Sequence, residues 1–327
     1  MEVAPEGTLQ LQWRYQSDEW VDPSDVEMEG TDLVAIADPG AGRVYTIASQ
    51  GDQVRGWGRL GDGPGEWQGV SGMVLHAGEV LVQPTSAPYV ERFDAGGERM
   101  GRLEVGEPVT LVGSSDSLLI ASSRSGPGRV IMIDPRQGTI LNEVRTAPIE
   151  RYPLDRYGSC WRLAAAQDRV YRLNCSAGRI EVLDPSGSRT ALFEMADEPR
   201  ASTEEELDAY IERFWESQSD GRPLDPIIRR QLDHVREGAA IFPKYTAIRA
   251  DPRSGRMILV EQPFGDHGSD DATLHIVSPD GHHMSRIHTQ SRIRDLAFVG
   301  DTIAMLVRDP ATGLAELQLH LLQLEPR

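Results

Sequence analysis

Residues 128–138 read GRVIMIDPRQG, and close variants of this stretch recur along the chain. They are GRVYTIASQGD from Gly42, PYVERFDAGGE from Pro88, GRIEVLDPSGS from Gly178 and ATLHIVSPDGH from Ala272. In each, apolar and polar residues alternate for about five positions, the period of a half-buried strand. Most then end in Asp or Ser followed by Pro or Gly, where a short polar side chain bonds the backbone just ahead and closes a tight turn. Asp94 to Asp134 spans 40 positions and Asp134 to Asp184 spans 50.

A second strand-like segment precedes each copy: DLVAIAD, EVLVQPT, SLLIASS, RVYRLNC, RMILVEQP and TIAMLVRD. A sixth copy, AELQLHLLQL from Ala315, keeps the strand and ends near the chain terminus. Six repeats of roughly 40–50 residues, each with several short strands, predict an all-β, six-bladed β-propeller. The reading treats residues 1–327 as one domain. The last repeat lacks a fourth strand, and TLQLQWRYQ at residues 8–16 supplies one. Leu9, Leu11 and Trp13 alternate with polar residues there, so the N-terminal strand is expected to close the ring and cover an edge.

GRLGDGPGEWQGVSG, residues 58–72, holds six glycines, Pro64 and Trp67. It is expected to carry the chain from the rim of blade 1 back to the axis. Glycine supplies the positive φ angles of such a crossing, and Trp67 would plug the gap between two blades. Glu66 reads as a satisfied loop carboxylate.

On these residues the chain resembles a family. GDGPGEW is similar to the G-x-G-P-G-E-aromatic linker of NHL-type bacterial six-bladed β-propellers, and VGEPVTL from Val105 resembles a shortened copy. The segment from IIRRQLDHV through FPKYTAIRADP to ILVEQP is similar to the family's passage from a helical insertion into the next blade. GDTIAMLVRDPATGLAELQLHLL is similar to its closing blade. The resemblance spans the chain, and what it implies is the fold.

One segment breaks the repeat. STEEELDAYIERFWESQ sets Ser202 and Glu205 in capping-box spacing, with Leu207, Ile211, Phe214 and Trp215 at helical intervals. Asp225-Pro226 then starts a second apolar-faced stretch through Ile228, Leu232 and Val235, ended by Gly238. Residues 202–238 are therefore expected to form a two-helix insertion between blades 4 and 5, with Tyr210 and Trp215 as candidate contacts for a partner.

The formal net charge is −18, which sets the surface against a phosphate backbone and argues against nucleic acid. No apolar run approaches the ~20 residues of a membrane span. Met1 is followed by Glu2 and Pro5, with neither a basic start nor an apolar core, so a signal peptide is expected to have been removed.

Propeller ligands sit on the axis, where the innermost strands begin. The expected starts are Asp25, Ser71, Thr110, Trp161 with Arg162, Tyr245 with Thr246, and Arg294 with Asp295. Lactonase-like propellers of similar fold need several oxygen ligands around one cation, and amidating-lyase propellers need histidines for zinc. Neither set is present, so no metal or cofactor is expected. Asp25 and Asp295 are expected to pair with Arg162 and Arg294 across the channel, since buried charges are usually paired. GDHGSDD, residues 265–271, lacks the alternating spacing of a calcium loop and reads as a solvated loop. His282 and His283 sit in the turn after VSPDG, pointing to opposite faces.

With Gln167-Asp168 as a hairpin turn, residues summing to 335 face each other, and Cys160 and Cys175 do. Opposed residues can be bridged where the pair is of the non-hydrogen-bonded type. A disulfide there would place the protein in the periplasm or outside the cell; two reduced cysteines in a cytosolic protein are the alternative. The reading favours a non-catalytic binding or scaffold propeller, probing an unknown protein or small-molecule partner as a monomer. The alternative is a hydrolase or lyase with an axial site. The candidate binding residues at the channel mouth are Asp25, Arg162, Tyr245, Arg294 and Asp295.

Overall fold

The computed structural model describes residues 6–145, 161–195, 244–262 and 271–324, apart from 49, 52, 64, 116, 126–128, 176 and 310–311, together with 201, 203–205 and 208. The described residues form six four-stranded antiparallel sheets and one two-stranded ribbon.

Strand β1 (Gly7–Tyr15) opens the chain. Blade 1 follows as β2 (Asp25–Glu29), β3 (Leu33–Asp38), β4 (Arg43–Ala48) and β5 (Val54–Trp57). The short parallel pair β6 (Arg59–Leu60) and β7 (Glu66–Trp67) makes the crossing. Blade 2 is β8 (Val70–His76), β9 (Glu79–Pro84), β10 (Tyr89–Asp94) and β11 (Arg99–Glu104). Blade 3 is β12 (Val109–Ser114), β13 (Leu119–Ser123), β14 (Arg129–Ile133) and β15 (Ile140–Arg145). Blade 4 is β16 (Trp161–Ala166), β17 (Arg169–Asn174), β18 (Arg179–Leu183) and β19 (Arg189–Glu194). Blade 5 is β20 (Tyr245–Ala250), β21 (Met257–Glu261), β22 (Ala272–Val277) and β23 (His283–Thr289). Blade 6 is β24 (Arg292–Val299), β25 (Thr302–Arg308) and β26 (Ala315–Leu324), completed by β1.

The ring is closed by packing as well as by that strand. Each of the six seams between neighbouring blades holds its own apolar cluster. Ile36, Ile47, Leu306 and Leu317 join blades 6 and 1, and Trp67, Met73, Val80 and Phe93 join blades 1 and 2. The other four seams are filled likewise. A blade's middle strands lie between two neighbours, so both their faces are buried. This is why β3 reads as a nearly continuous apolar run rather than an alternation.

The closing strand pairs Leu9 with Leu322 and Trp13 with Leu319, with a bulge between Leu11 and Trp13. Leu9 and Trp13 pack on the core. The bulge breaks the period, and Leu11 faces solvent, 48% exposed, where simple alternation had put it inward.

The turns work as their residues require. Asp94 Oδ1 accepts the Gly96 and Glu98 amides at 2.9 and 2.8 Å, and Asp184 Oδ1 accepts those of Ser186 and Ser188 at 2.8 and 2.9 Å. In blade 5, Ser278 Oγ takes the same place, accepting the His282 amide at 3.0 Å. His282 is exposed, whereas His283 lies with its ring centroid 5.2 Å from that of the buried His275. In the rim-to-axis crossing, Gly58 has φ 85°, and a Cβ there would land on the Trp67 indole. Trp67 is buried between blades 1 and 2 and donates Nε1–H to Glu91 Oε2 at 2.8 Å. Glu66 bonds Arg59 Nε at 2.6 Å and the Gly63 amide at 3.1 Å, and the Arg59 bond, then that amide, hold its carboxyl below the usual range.

Gln167 and Asp168 both have positive φ, 51° and 56°, as a two-residue hairpin turn demands. The register runs from Ala166↔Arg169 to Trp161↔Asn174, every pair summing to 335. Cys175 is fully buried, and Cys160 lies outside the described residues. So do Tyr210, Trp215 and nearly all of the 202–238 insertion, and residues 265–270. Among the described residues no helix is long and apolar enough to cross a membrane.

Candidate functional site

The six innermost strands, β2, β8, β12, β16, β20 and β24, stand around the axis, each with one edge unpaired within its own sheet. An open strand edge needs partners for its N–H and C=O groups. Side chains from the adjacent blade supply them. Asp295 Oδ2 of blade 6 accepts the Val26 amide of blade 1 at 3.0 Å. Asp25 Oδ2 of blade 1 accepts the Met73 amide of blade 2 at 3.0 Å. Ser71 Oγ donates to Val109 O of blade 3 at 3.3 Å. Arg162 Nε of blade 4 donates to Thr246 O of blade 5 at 2.9 Å, and Arg249 Nε of blade 5 to Leu296 O of blade 6 at 3.0 Å.

Bulges set which residues face the axis. Register shifts fall between Val70 and Gly72, Leu111 and Gly113, Tyr245 and Ala247, and Ile293 and Asp295. The skipped residues are Ser71, Val112, Thr246 and Arg294, and bulges re-aim side chains in this way. Three of the expected axial residues are thus bulge residues. The bulge in β20 also explains why Tyr245 is not at the mouth. It turns into the blade 4–5 core, 1% exposed and edge-on to His275 at 5.3 Å, while Thr246 Oγ1 donates to Val260 O at 3.3 Å.

Asp25 and Asp295 come together, but their cation is neither Arg162 nor Arg294, the expected partners. It is Arg249, which forms an ion pair with Asp295 Oδ1 and also donates to Ile248 O at 3.2 Å. Arg294 turns outward to the exposed Asp22 instead. Glu27, two residues beyond Asp25 on the same face of β2, is the third carboxyl of the group.

Three carboxyls therefore surround one guanidinium. Burial, then the Asp295 charge, pushes the Asp25 carboxyl up to about 7, and a hydrogen bond with Asp295 adds to this; Arg249 and the Met73 amide oppose it. Burial, then the Asp25 charge, raises Glu27 well above its ordinary value, against Arg249. Burial works against the Arg249 charge, but Asp295, Asp25 and Glu27 outweigh it and hold the guanidinium ionised. Asp25 and Glu27 are half-buried on one face of β2. Such a group can lend and accept a proton near neutrality.

The sequence held a signal for both missed residues. DVEME places Asp25, Glu27 and Glu29 on one face of β2. Arg249 stands four positions after Tyr245 in the apolar strand YTAIRA, where a charge needs a partner.

No protein-family model and no curated protein matches the chain. Among solved structures, a member of the DUF4221 family from Bacteroides vulgatus aligns with 99% of this chain and 100% of its own, at TM-score 0.62 and 9% identity. Glutaminyl cyclase from Myxococcus xanthus aligns with 99% of this chain and 100% of its own, at TM-score 0.41 and 10% identity. The first likeness concerns the fold alone, and the second carries no argument.

Proposed function

We propose that this chain is a non-catalytic binding or scaffold β-propeller of the NHL type, working outside the cytoplasm. The observation that carries this reading is the use made of the axial polar groups. Asp25, Asp295, Arg162 and Arg249 each bond the backbone of the adjacent blade, so they serve first to hold the ring. Recognition then falls to the channel mouth, where Arg294 and Asp22 are accessible, and to the 202–238 insertion with Tyr210 and Trp215. The whole chain, 1–327, acts as one monomeric domain and takes a protein or a small molecule. Export is supported by the β16–β17 register, which keeps the sum of 335 on which the expected Cys160–Cys175 disulfide rests.

Purification from the native host followed by mass spectrometry tests this reading. A species that co-purifies stoichiometrically, leaves chemically unchanged and is lost when residues 202–238 become a Gly-Ser linker is the expected result. A second reading, a hydrolase or lyase, rests on Asp25, whose carboxyl sits near 7, the range of a group that exchanges protons with a substrate. Conversion of the co-purified species, abolished by Asp25→Asn, would establish that reading and end the first.

A further inference from the structure

The axial group does more than satisfy strand edges. Arg249 binds Asp295, Asp295 holds the Val26 amide, and Asp25 holds the Met73 amide. Asp295 thus sits on the amide of the residue that follows Asp25. These bonds run in series through blades 5, 6, 1 and 2, across the seam where the last blade meets the first. Counting charge gives the reason for a proton there. Three ionised carboxylates around one guanidinium would leave two uncompensated negative charges in a half-buried site, a cost that a retained proton lowers.

We propose that the Asp25–Asp295 pair is a proton-operated lock on ring closure: protonated, it ties blades 6, 1 and 2 together; deprotonated, it sets two carboxylates against each other at that seam. The groups facing Asp25 are Asp295 on β24, Arg249 on β20 and Glu27 on its own strand. The contribution from β8 is the Met73 amide, its own His76 lying at the far end of that strand. Arg294 points away to Asp22. One guanidinium cannot neutralise the three acids, so loss of the proton leaves repulsion. The direction of the Asp25 shift agrees. Its folded-state value is about 7 against an ordinary 3.8, so its contribution to stability is complete below the ordinary value and is lost as pH rises through the folded one.

Asp25→Asn fixes the locked state, because the amide oxygen can still accept from Met73 and the amide nitrogen can donate to Asp295. Thermal melts of the wild type and this variant between about pH 5 and about pH 9 give the test. The wild type should fall away from the variant as pH rises through neutrality, and the protection of the Val26 and Met73 amides, relative to their base-catalysed intrinsic exchange, should fall in the wild type alone. Parallel melting curves would overturn the lock. If the variant does not fold, infrared spectroscopy of the wild type decides. A buried protonated-carboxyl band at about pH 6 that disappears by about pH 9 supports the lock, and its absence at the lower pH rejects it.

Discussion

On the rim of blade 3, Arg129 stands between Glu107 and Glu143; on the axis, Arg249 stands among Asp25, Glu27 and Asp295. At the rim, Arg129 Nη1 bonds Glu107 Oε2 at 2.9 Å and Nη2 bonds Glu143 Oε2 at 2.7 Å, with Arg145 Nε adding a bond to Glu143 at 3.1 Å. The bonds from Arg129 and Arg145 pull Glu143 down to about 2. Glu107 is lowered too, its burial outweighed by the bonds from Ser123 and Arg129. On the axis the shifts run the other way, with Asp25 at about 7 and Glu27 raised. Both places combine arginine and carboxylate. The ratio of charges separates them: where Arg129 and Arg145 serve two carboxyls, each is stabilised as the anion; where Arg249 alone serves three, one keeps its proton.

The largest effect expected from this contrast comes from removing each arginine. Arg249→Met leaves three carboxyls without a cation in the axis and should lower stability by about 3–5 kcal/mol in urea unfolding. A loss no greater than that from the corresponding rim substitution would erase the distinction.

The two regions should next separate by pH. Glu143 has a depressed folded-state value, so its contribution is present above its ordinary 4.5 and is lost as pH falls toward about 2. Asp25 has a raised value, so its contribution is lost as pH rises from 3.8 through about 7. Urea midpoints across pH should therefore show an acid limb removed by Glu143→Gln and a neutral limb removed by Asp25→Asn. One variant abolishing both limbs would show that the regions are not independent.

Trp67 offers an intermediate case, a buried carboxylate that is well supplied. Glu91 is 3% exposed and receives both the Trp67 indole N–H and Arg99 Nε at 3.0 Å. Trp67→Phe removes one donor and leaves a buried acceptor short, at a cost of about 1–3 kcal/mol by urea unfolding. The smallest effect belongs to Arg129→Met, which should move the melting temperature by no more than about 2 °C, because both carboxylates keep another partner, Ser123 on Glu107 and Arg145 on Glu143. A larger shift there would show that the rim carries structural charge of its own.

How much of this was legible in the sequence follows the same division. The blades were readable because each repeat carries its own local period and its own turn chemistry, as in GRVIMIDPRQG and GRIEVLDPSGS. The closing strand was readable because a missing strand at one end matched a spare one at the other. Leu11 escaped because a bulge is not written in a hydrophobic period, and Tyr245 escaped for the same reason. The axial group was half legible. Asp25 and Asp295 stand at strand starts, where axial residues are sought. Arg249 and Glu27 lie deeper in their strands, and the group assembles only when blades 5, 6 and 1 meet. The bond from Val26 to Asp295 joins residues 269 positions apart, and no local pattern encodes it.

Selective ¹³C labelling of aspartate carboxyls, with Asp25 assigned by its absence from Asp25→Asn protein, measures the central quantity itself. The Asp25 Cγ shift followed through a pH titration of the folded protein should show a midpoint near 7. A midpoint near the ordinary aspartate value of 3.8 would mean that the axis holds ionised carboxylates at neutral pH, and it would contradict both the contrast with the rim and the lock built on it.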